Sequence, residues 1–380
     1  MLQRGFVVAM AAFRCPPEVL LRSAARGNLT SCKAPLLTSS AIGPHSVASV
    51  RHTHRAAVCN ELGKPLTISQ VPSPDSLSDG QVRVAIHTCG VNFADILTVA
   101  GQYQVKPPLP FTPGNEVAGE VLDIGEGVSS FKKGDRVIGL LAVGAGFSEE
   151  CVAYENELFQ IPDSMGYEEA ASLPVSYGTA WMGLTRRANT QPGETVLVTA
   201  AAGGVGLASV ELASKVLGAK VIGAAGGPEK CKLVSDKGAF ATIDYKQENL
   251  REKTKELTQG KGANVIMDAV GGDVWKECLR CISWEGRLVV IGFASGDIPK
   301  IPANLLLVKN ISAMGLFWGN YRMHDPPRSR QSVEDCIRFF KEGKIRPHVC
   351  KTFPLEKINE AFQYVMMRKS TGKVVVTMRN

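Results

Sequence analysis

Residues 195–206 read TVLVTAAAGGVG. A short, nearly continuous apolar run passes into Ala201-Ala202-Gly203-Gly204-Val205-Gly206, and an amphipathic segment over 207–217 follows at once. A buried strand, a tight turn and a helix N-terminus in that order are what a dinucleotide fold requires. On this reading Gly203 carries a turn of unusual φ and Gly204 leaves room for a pyrophosphate against the backbone. Gly206 lets helix and strand pack closely. The free N–H groups of the first helical turn then face the phosphates, so Ala202, Gly203, Gly204, Val205 and Gly206 form the candidate phosphate side. The first position of G-x-G-x-x-G is Ala201 here, so the fingerprint is incomplete, and a plain strand–helix turn is the competing reading.

The surrounding pattern supplies the context. Before the turn, 56–70 reads as an opening hairpin with its bend at Leu62-Gly63-Lys64-Pro65. The segment 81–88 (QVRVAIHT) is a strand with Val82, Val84 and Ile86 on one face. Further strands are expected at 117–124 and after the Lys133-Gly134-Asp135 turn. Many short strands with glycine turns indicate a compact, partly closed β domain. From 165 to 187 the period becomes helical, with a boundary at Ser172-Leu173-Pro174.

Beyond the glycine turn, strands at 220–223, 241–244, 265–268 and 286–291 alternate with helices at 229–237, 248–258 and 273–282. That rhythm implies a parallel sheet covered on both faces. The segment 310–315 is expected to return to the first domain. A helix at 331–342 and a strand at 372–377 then end the chain. The dinucleotide domain, 176–311, is thus expected to be inserted between 56–175 and 312–380, with the active cleft between the two.

Charge is unevenly placed. The net charge is +7, yet residues 1–60 hold seven arginines and lysines against one acid, Glu18, which leaves the remainder near +1. No nucleic-acid footprint remains in the body of the chain, and no apolar run is long enough to span a membrane. Residues 1–55 are arginine-bearing, rich in serine and alanine and almost free of acid. This is the composition of a mitochondrial transit segment, with removal near 51–57 and a matrix location; a disordered cytosolic tail is the alternative. The ten cysteines are scattered. Cys278 and Cys281 form a C-x-x-C inside an expected helix, without a second pair or a neighbouring histidine, and read as helix-face thiols.

Five landmarks occur in order: Asn92-Phe93-Ala94-Asp95, Gly114-Asn115-Glu116-Val117-Ala118-Gly119, Gly134-Asp135-Arg136-Val137, 200–206 and Gly372-Lys373-Val374. From Ala56 onward the chain resembles the zinc-free medium-chain dehydrogenases/reductases of the quinone oxidoreductase (zeta-crystallin) type. The resemblance implies a Rossmann-type doubly wound parallel sheet inserted in a GroES-like, partly closed β-barrel substrate domain. It also implies a homodimer, with a tetramer as the alternative, and the sheet extended across the interface near 309–314. The zinc-using branch of that superfamily presents Cys and His where this chain has Asn92 and Asn115. Residues 174–178 hold no cysteine, and 139–157 hold only Cys151. His87 and Cys89 share a strand but lack a third ligand. No metal is expected.

NADPH is the expected cofactor. An NAD site usually carries an acid at the end of the second strand, whereas 220–223 runs into Ala224-Ala225-Gly226-Gly227. Lys230 offers an ammonium to a 2′-phosphate, and in the family residues matching Gly226, Lys230 and Tyr245 embrace that group. A solvated helix lysine and a strand-capping tyrosine are the plainer readings. Ligands gather at the carboxyl ends of the strands, so Val270 is placed on the adenosine side, and Gly292 and Phe293 on the nicotinamide side. Phe317 and Trp318 are candidates to close over the ring, with interdomain packing as the alternative. Lys373 is expected to touch the cofactor and Asn92 the nicotinamide ribose.

The chemistry left for such a cleft is hydride transfer to a small hydrophobic quinone or conjugated carbonyl. By family position Tyr103 is the candidate hydrogen-bond donor to the developing oxyanion, with Asn92 orienting substrate or ribose; Tyr103 as a pocket wall is the alternative. Many quinone reductases of this type carry an aromatic residue five positions after the matching asparagine. Leu97 stands here, so an enone fits as well as a quinone, with an enoyl thioester a third acceptor class. An NADPH-binding structural or interaction protein with little activity is the non-enzyme alternative.

Overall fold

The computed structural model describes residues 52–142 and 144–379. Residues 1–51 of the expected import segment lie outside these. The first strand, Thr53–Val58, already pairs with Thr67–Pro72 from Thr53 onward, so ordered sheet begins ahead of the boundary expected at 56.

The parallel sheet has six strands in the spatial order Ala241–Asp244, Lys220–Ala225, Thr195–Val198, Ala263–Asp268, Ile282–Val290 and Ser312–Gly315. In chain order that is third, second, first, fourth, fifth and sixth, the doubly wound arrangement with its reversal beside the first strand. Helices Gly204–Glu211, Pro228–Asp236, Leu250–Leu257 and Gly272–Cys281 connect the strands. Val196, Leu197, Val221, Ile222, Val265 and Ile266 are fully buried or nearly so, as expected of strands covered on both faces.

Ser312–Gly315 corrects one expectation. Rather than returning to the first domain, it pairs in parallel with Ile282–Val290, Arg287 to Ser312 through Val290 to Gly315. The short helix before it, Ala303–Lys309, completes one more βαβ crossover, so the return follows Gly315.

The second sheet is bent around Gln81–Gly90. That strand pairs with Glu116–Ile124 along one edge. Its other edge takes Glu150–Tyr154 near its start and Lys373–Thr377 near its end. Register shifts between Arg83 and Val84 and between Ile86 and Thr88 let one strand serve three partners, as bulges do in partly closed barrels. The last strand therefore belongs to the first domain, and the parallel sheet is an insertion in it. Helix Pro174–Met182 packs on helix Gly204–Glu211, and one buried cluster runs from Ala118, Ile138 and Leu140 through Tyr177 to Val198 and Leu207. The two halves share a core.

Candidate active site

The glycine turn follows Thr195–Val198 as the sequence requires, but the backbone strain lies elsewhere than expected. Gly203 caps the helix with φ −80°, and the left-handed residue is Ala200, at φ +46°. The chain reverses before the glycines, with the Gly203 amide donating to the Ala200 carbonyl at 2.9 Å. Gly206 has the role foreseen: a Cβ there would lie 2.3 Å from the Ala200 oxygen. At Gly204 a Cβ would meet Ser176 Oγ at 2.9 Å, so protein as well as ligand needs this space. Gly372 donates its amide to Ala202 at 2.7 Å, sewing the C-terminal segment to the turn.

A buried polar cluster lies at the start of that last strand. Asn92 caps helix Phe93–Val99. Its Oδ1 accepts from Lys373 Nζ at 2.6 Å, and its Nδ2 donates to Glu116 Oε1 at 2.8 Å. Lys373 and Glu116 also form an ion pair, and Glu116 Oε2 accepts the Val175 amide at 2.9 Å. Glu116 is 0% exposed and Lys373 5%. The Lys373 ammonium, expected on the cofactor, is thus committed to protein groups. Asp95 accepts the Asn92 amide at 2.8 Å, and burial pushes its carboxyl up to about 7 against that hydrogen bond. The landmarks of the sequence contain Glu116 and Asp95, but nothing in their spacing shows that both converge on Asn92.

Of the residues expected at the adenosine edge, Gly226 and Tyr245 meet, and Lys230 is tied to Arg368, a residue the sequence reading missed. The Tyr245 ring packs on Gly226, where a Cβ would lie 3.1 Å from it. Lys230 Nζ donates to the Arg368 carbonyl at 3.0 Å, and the Arg368 guanidinium donates to Ala294 at 2.9 Å. Arg368 is a left-handed residue, φ +56°, past the last helix. Its charge also opposes the upward push of burial on the Tyr245 phenol. The acid ending the next strand, Asp244, is occupied: its Oδ1 accepts the amides of Gly227 at 2.8 Å and Lys246 at 3.0 Å.

The loops carrying Val270 and Phe293, expected on the adenosine and nicotinamide sides, pack against each other. Asp268 ends its strand fully buried, accepting Thr199 Oγ1 at 2.6 Å, the Val270 amide at 3.0 Å and the Gly271 amide at 3.1 Å. Val270 is thereby held, and its carbonyl accepts the Ser295 amide just past Gly292 and Phe293. The Phe293 ring leaves 3.1 Å to an ideal Cβ on Gly271.

Phe317 and Trp318 part company. Trp318 is 5% exposed, donates to Ser332 Oγ at 3.1 Å and packs on Gly178, so it serves the shared core rather than the cleft. Phe317 is 45% exposed and meets Tyr103 edge to face with centroids 6.3 Å apart. The Tyr103 amide donates to the Leu97 carbonyl at 3.2 Å, and burial with the nearby Asp95 carboxylate raises its phenol above the ordinary value.

Among the described residues no three His, Cys, Asp or Glu side chains are grouped to hold a metal, and no helix is long and apolar enough to cross a membrane. His87 stacks on Tyr167 at 4.1 Å, whereas Cys89 is buried against Gly114 and Gly146. Cys278 and Cys281 are buried beneath the parallel sheet, with burial raising both thiols.

Known proteins share this arrangement. The alcohol dehydrogenase GroES-like domain family matches residues 78–181, and the zinc-binding dehydrogenase family matches 204–340. The quinone oxidoreductase-like protein 2 homolog of Nematostella vectensis is 53% identical, covering 97% of this chain and 100% of its own. Quinone oxidoreductase-like protein 2 of Mus musculus is 52% identical over 87% of this chain and 93% of its own. The crystal structure of Escherichia coli quinone oxidoreductase complexed with NADPH superposes with a TM-score of 0.78 at 27% identity, over 86% of this chain and 99% of that one. With the inserted parallel sheet, the glycine turn and these relatives, the chain belongs to the quinone oxidoreductase-like branch of the medium-chain dehydrogenase/reductase family, a family of oxidoreductases.

Proposed function

We propose that this protein binds NADPH and reduces a quinone or a conjugated carbonyl compound without zinc. The observation that carries the reading is the adenosine edge. The Tyr245 ring packs on Gly226, Arg368 acts on Tyr245 and accepts from Lys230 through its carbonyl, while the Asp244 carboxylate is spent on backbone amides. Two cations and a phenol suit a 2′-phosphate, and the second strand, Lys220–Ala225, ends without the acid that would hold a ribose diol. The amides of the Gly204–Glu211 helix N-terminus suit the pyrophosphate.

When bound, the reduced nicotinamide supplies the hydride. Asn92 orients its ribose. Tyr103, kept neutral by burial, donates a hydrogen bond to the acceptor oxygen as negative charge develops there. Leu97 in place of an aromatic residue leaves an apolar edge that favours an enone as much as a quinone. Asn92 and Asn115 replace metal-ligand types, and the Asn115 amide is bonded to the Leu141 carbonyl at 3.0 Å.

One observation supports a second reading, an NADPH-binding protein of little activity: the rings of Tyr103 and Phe317, both candidates for the acceptor side, meet edge to face. Stopped-flow oxidation of bound NADPH, with NADH beside it, separates the two. The acceptors are an ortho-quinone, a para-quinone and a medium-chain enone. Oxidation by one of them, slowed in the chemical step by Tyr103→Phe and weakened in NADPH binding by Lys230→Ala, identifies the reductase. Tight NADPH binding without turnover on any acceptor identifies the binding protein.

The composition of residues 1–55 supports a mitochondrial matrix location, and N-terminal sequencing of the protein recovered from cells tests it. The open edge of Ser312–Gly315 supports a homodimer, because an unpaired strand edge is a ready template for a second copy.

A further inference from the structure

The cluster around Asn92 is more elaborate than a helix cap needs. The cap itself is satisfied by Asp95, whose Oδ2 accepts the Asn92 amide. The carboxamide of Asn92 is gripped separately, its oxygen by Lys373 and its nitrogen by Glu116. The three residues come from three elements: the N-cap of Phe93–Val99, the start of Glu116–Ile124 and the start of Lys373–Thr377. Glu116 is held in turn by the Val175 amide, and Gly90 leaves room for it, since a Cβ there would lie 2.6 Å from Oε1.

A carboxamide has one acceptor end and one donor end. Turning it over would set its oxygen against a carboxylate and its NH2 against an ammonium, both buried. Only one orientation is compatible with this pair. A buried ion pair is a weak device for stability, since apolar residues of similar volume often serve as well.

We propose that Lys373 and Glu116 are positioning residues that lock the carboxamide of Asn92 toward the cleft, and that Lys373 acts on the cofactor through Asn92 rather than by touching it. The inference rests on the NADPH reading above.

The test is fluorescence titration of the purified full chain with NADPH and with 2′,5′-ADP, which carries the adenosine-side phosphates but no nicotinamide ribose. Asn92→Ala, Lys373→Met, Lys373→Arg and the Asn92→Ala/Lys373→Met double variant are compared with the parent. The expected result is a rise of about tenfold in the NADPH Kd for Asn92→Ala and Lys373→Met, with 2′,5′-ADP unchanged and the double variant no worse than Asn92→Ala. Lys373→Arg keeps the charge opposite Glu116; it is expected to bind 2′,5′-ADP like the parent and NADPH at an intermediate strength. Equal weakening of both ligands, or additive effects in the double variant, overturns the inference and leaves the NADPH reading standing. A parent protein that does not bind NADPH overturns the reading itself, and the inference with it.

Discussion

Gly206 lies so close to Ala200 that a Cβ on Gly206 would come within 2.3 Å of the Ala200 carbonyl oxygen. Helix and strand are therefore locked at a distance only glycine allows. Gly206→Ala must shift backbone, and is expected to cost about 2 kcal/mol or more, within the range of overpacked cores. Gly203→Ala is the control. Its φ is −80° and its Cβ would sit 3.3 Å from the same oxygen, so its cost is expected to be clearly smaller. Urea unfolding midpoints of the two variants check the ranking; equal losses would refute it.

Asp95 makes stability depend on pH in an unusual direction. Burial raises its folded-state pKa from the ordinary carboxylate range to about 7. Between these values the native state binds a proton that the unfolded chain has released, so this group's contribution falls as pH rises toward 7 and is level above it. Asp95→Asn keeps an oxygen to accept the Asn92 amide and removes the titration. The variant should show a flatter profile of Tm between pH 4 and 7 than the parent, and a smaller deficit or a gain at pH 8. A parallel pair of profiles would refute the assignment.

Phe317 and Trp318 are neighbours with different tasks. Trp318→Ala is expected to destabilise by about 3–5 kcal/mol, as for other buried aromatic residues. Phe317→Ala removes a 45% exposed ring that touches Tyr103 and should leave the Tm nearly unchanged. If the contact restricts entry to the cleft, Phe317→Ala raises kcat/KM for bulky acceptors more than for small ones. Thermal melts and acceptor series on the two variants check both halves of this statement.

The helix Ala303–Lys309 buries none of its residues, and Leu307 and Val308 are 79% and 60% exposed beside the edge strand Ser312–Gly315. A homodimer built on this edge would cover them. Leu307→Asp with Val308→Asp is expected to halve the mass seen by sedimentation without lowering the Tm of the isolated protomer. A parent that sediments as a monomer would refute the dimer.

Much of the fold was legible because its signals are local. The apolar run of Thr195–Val198, the alternation of Gln81–Gly90 and the βα rhythm after residue 218 each follow from the period of side-chain burial along a short segment. The order of landmarks carried the family, and the type of residue at 226, 230 and 245 carried the cofactor choice. The edge strand Ser312–Gly315 was misplaced because four residues with little apolar character do not say which sheet they join; pairing with Ile282–Val290 decides that. The unusual φ was assigned to Gly203 on residue type, whereas the path of the turn placed it on Ala200.

What the sequence determined by itself was therefore the kind of each element and the chemistry of the glycine turn. The tertiary structure decided which distant residues meet. Lys373 reaches Asn92 across 281 positions, Arg368 reaches Lys230 across 138, and Phe317 meets Tyr103 from the other half of the chain. The physical reason is that helix and strand periods are written in neighbouring residues, while the partner of a buried charge is set by topology, by which strands the sheet brings side by side.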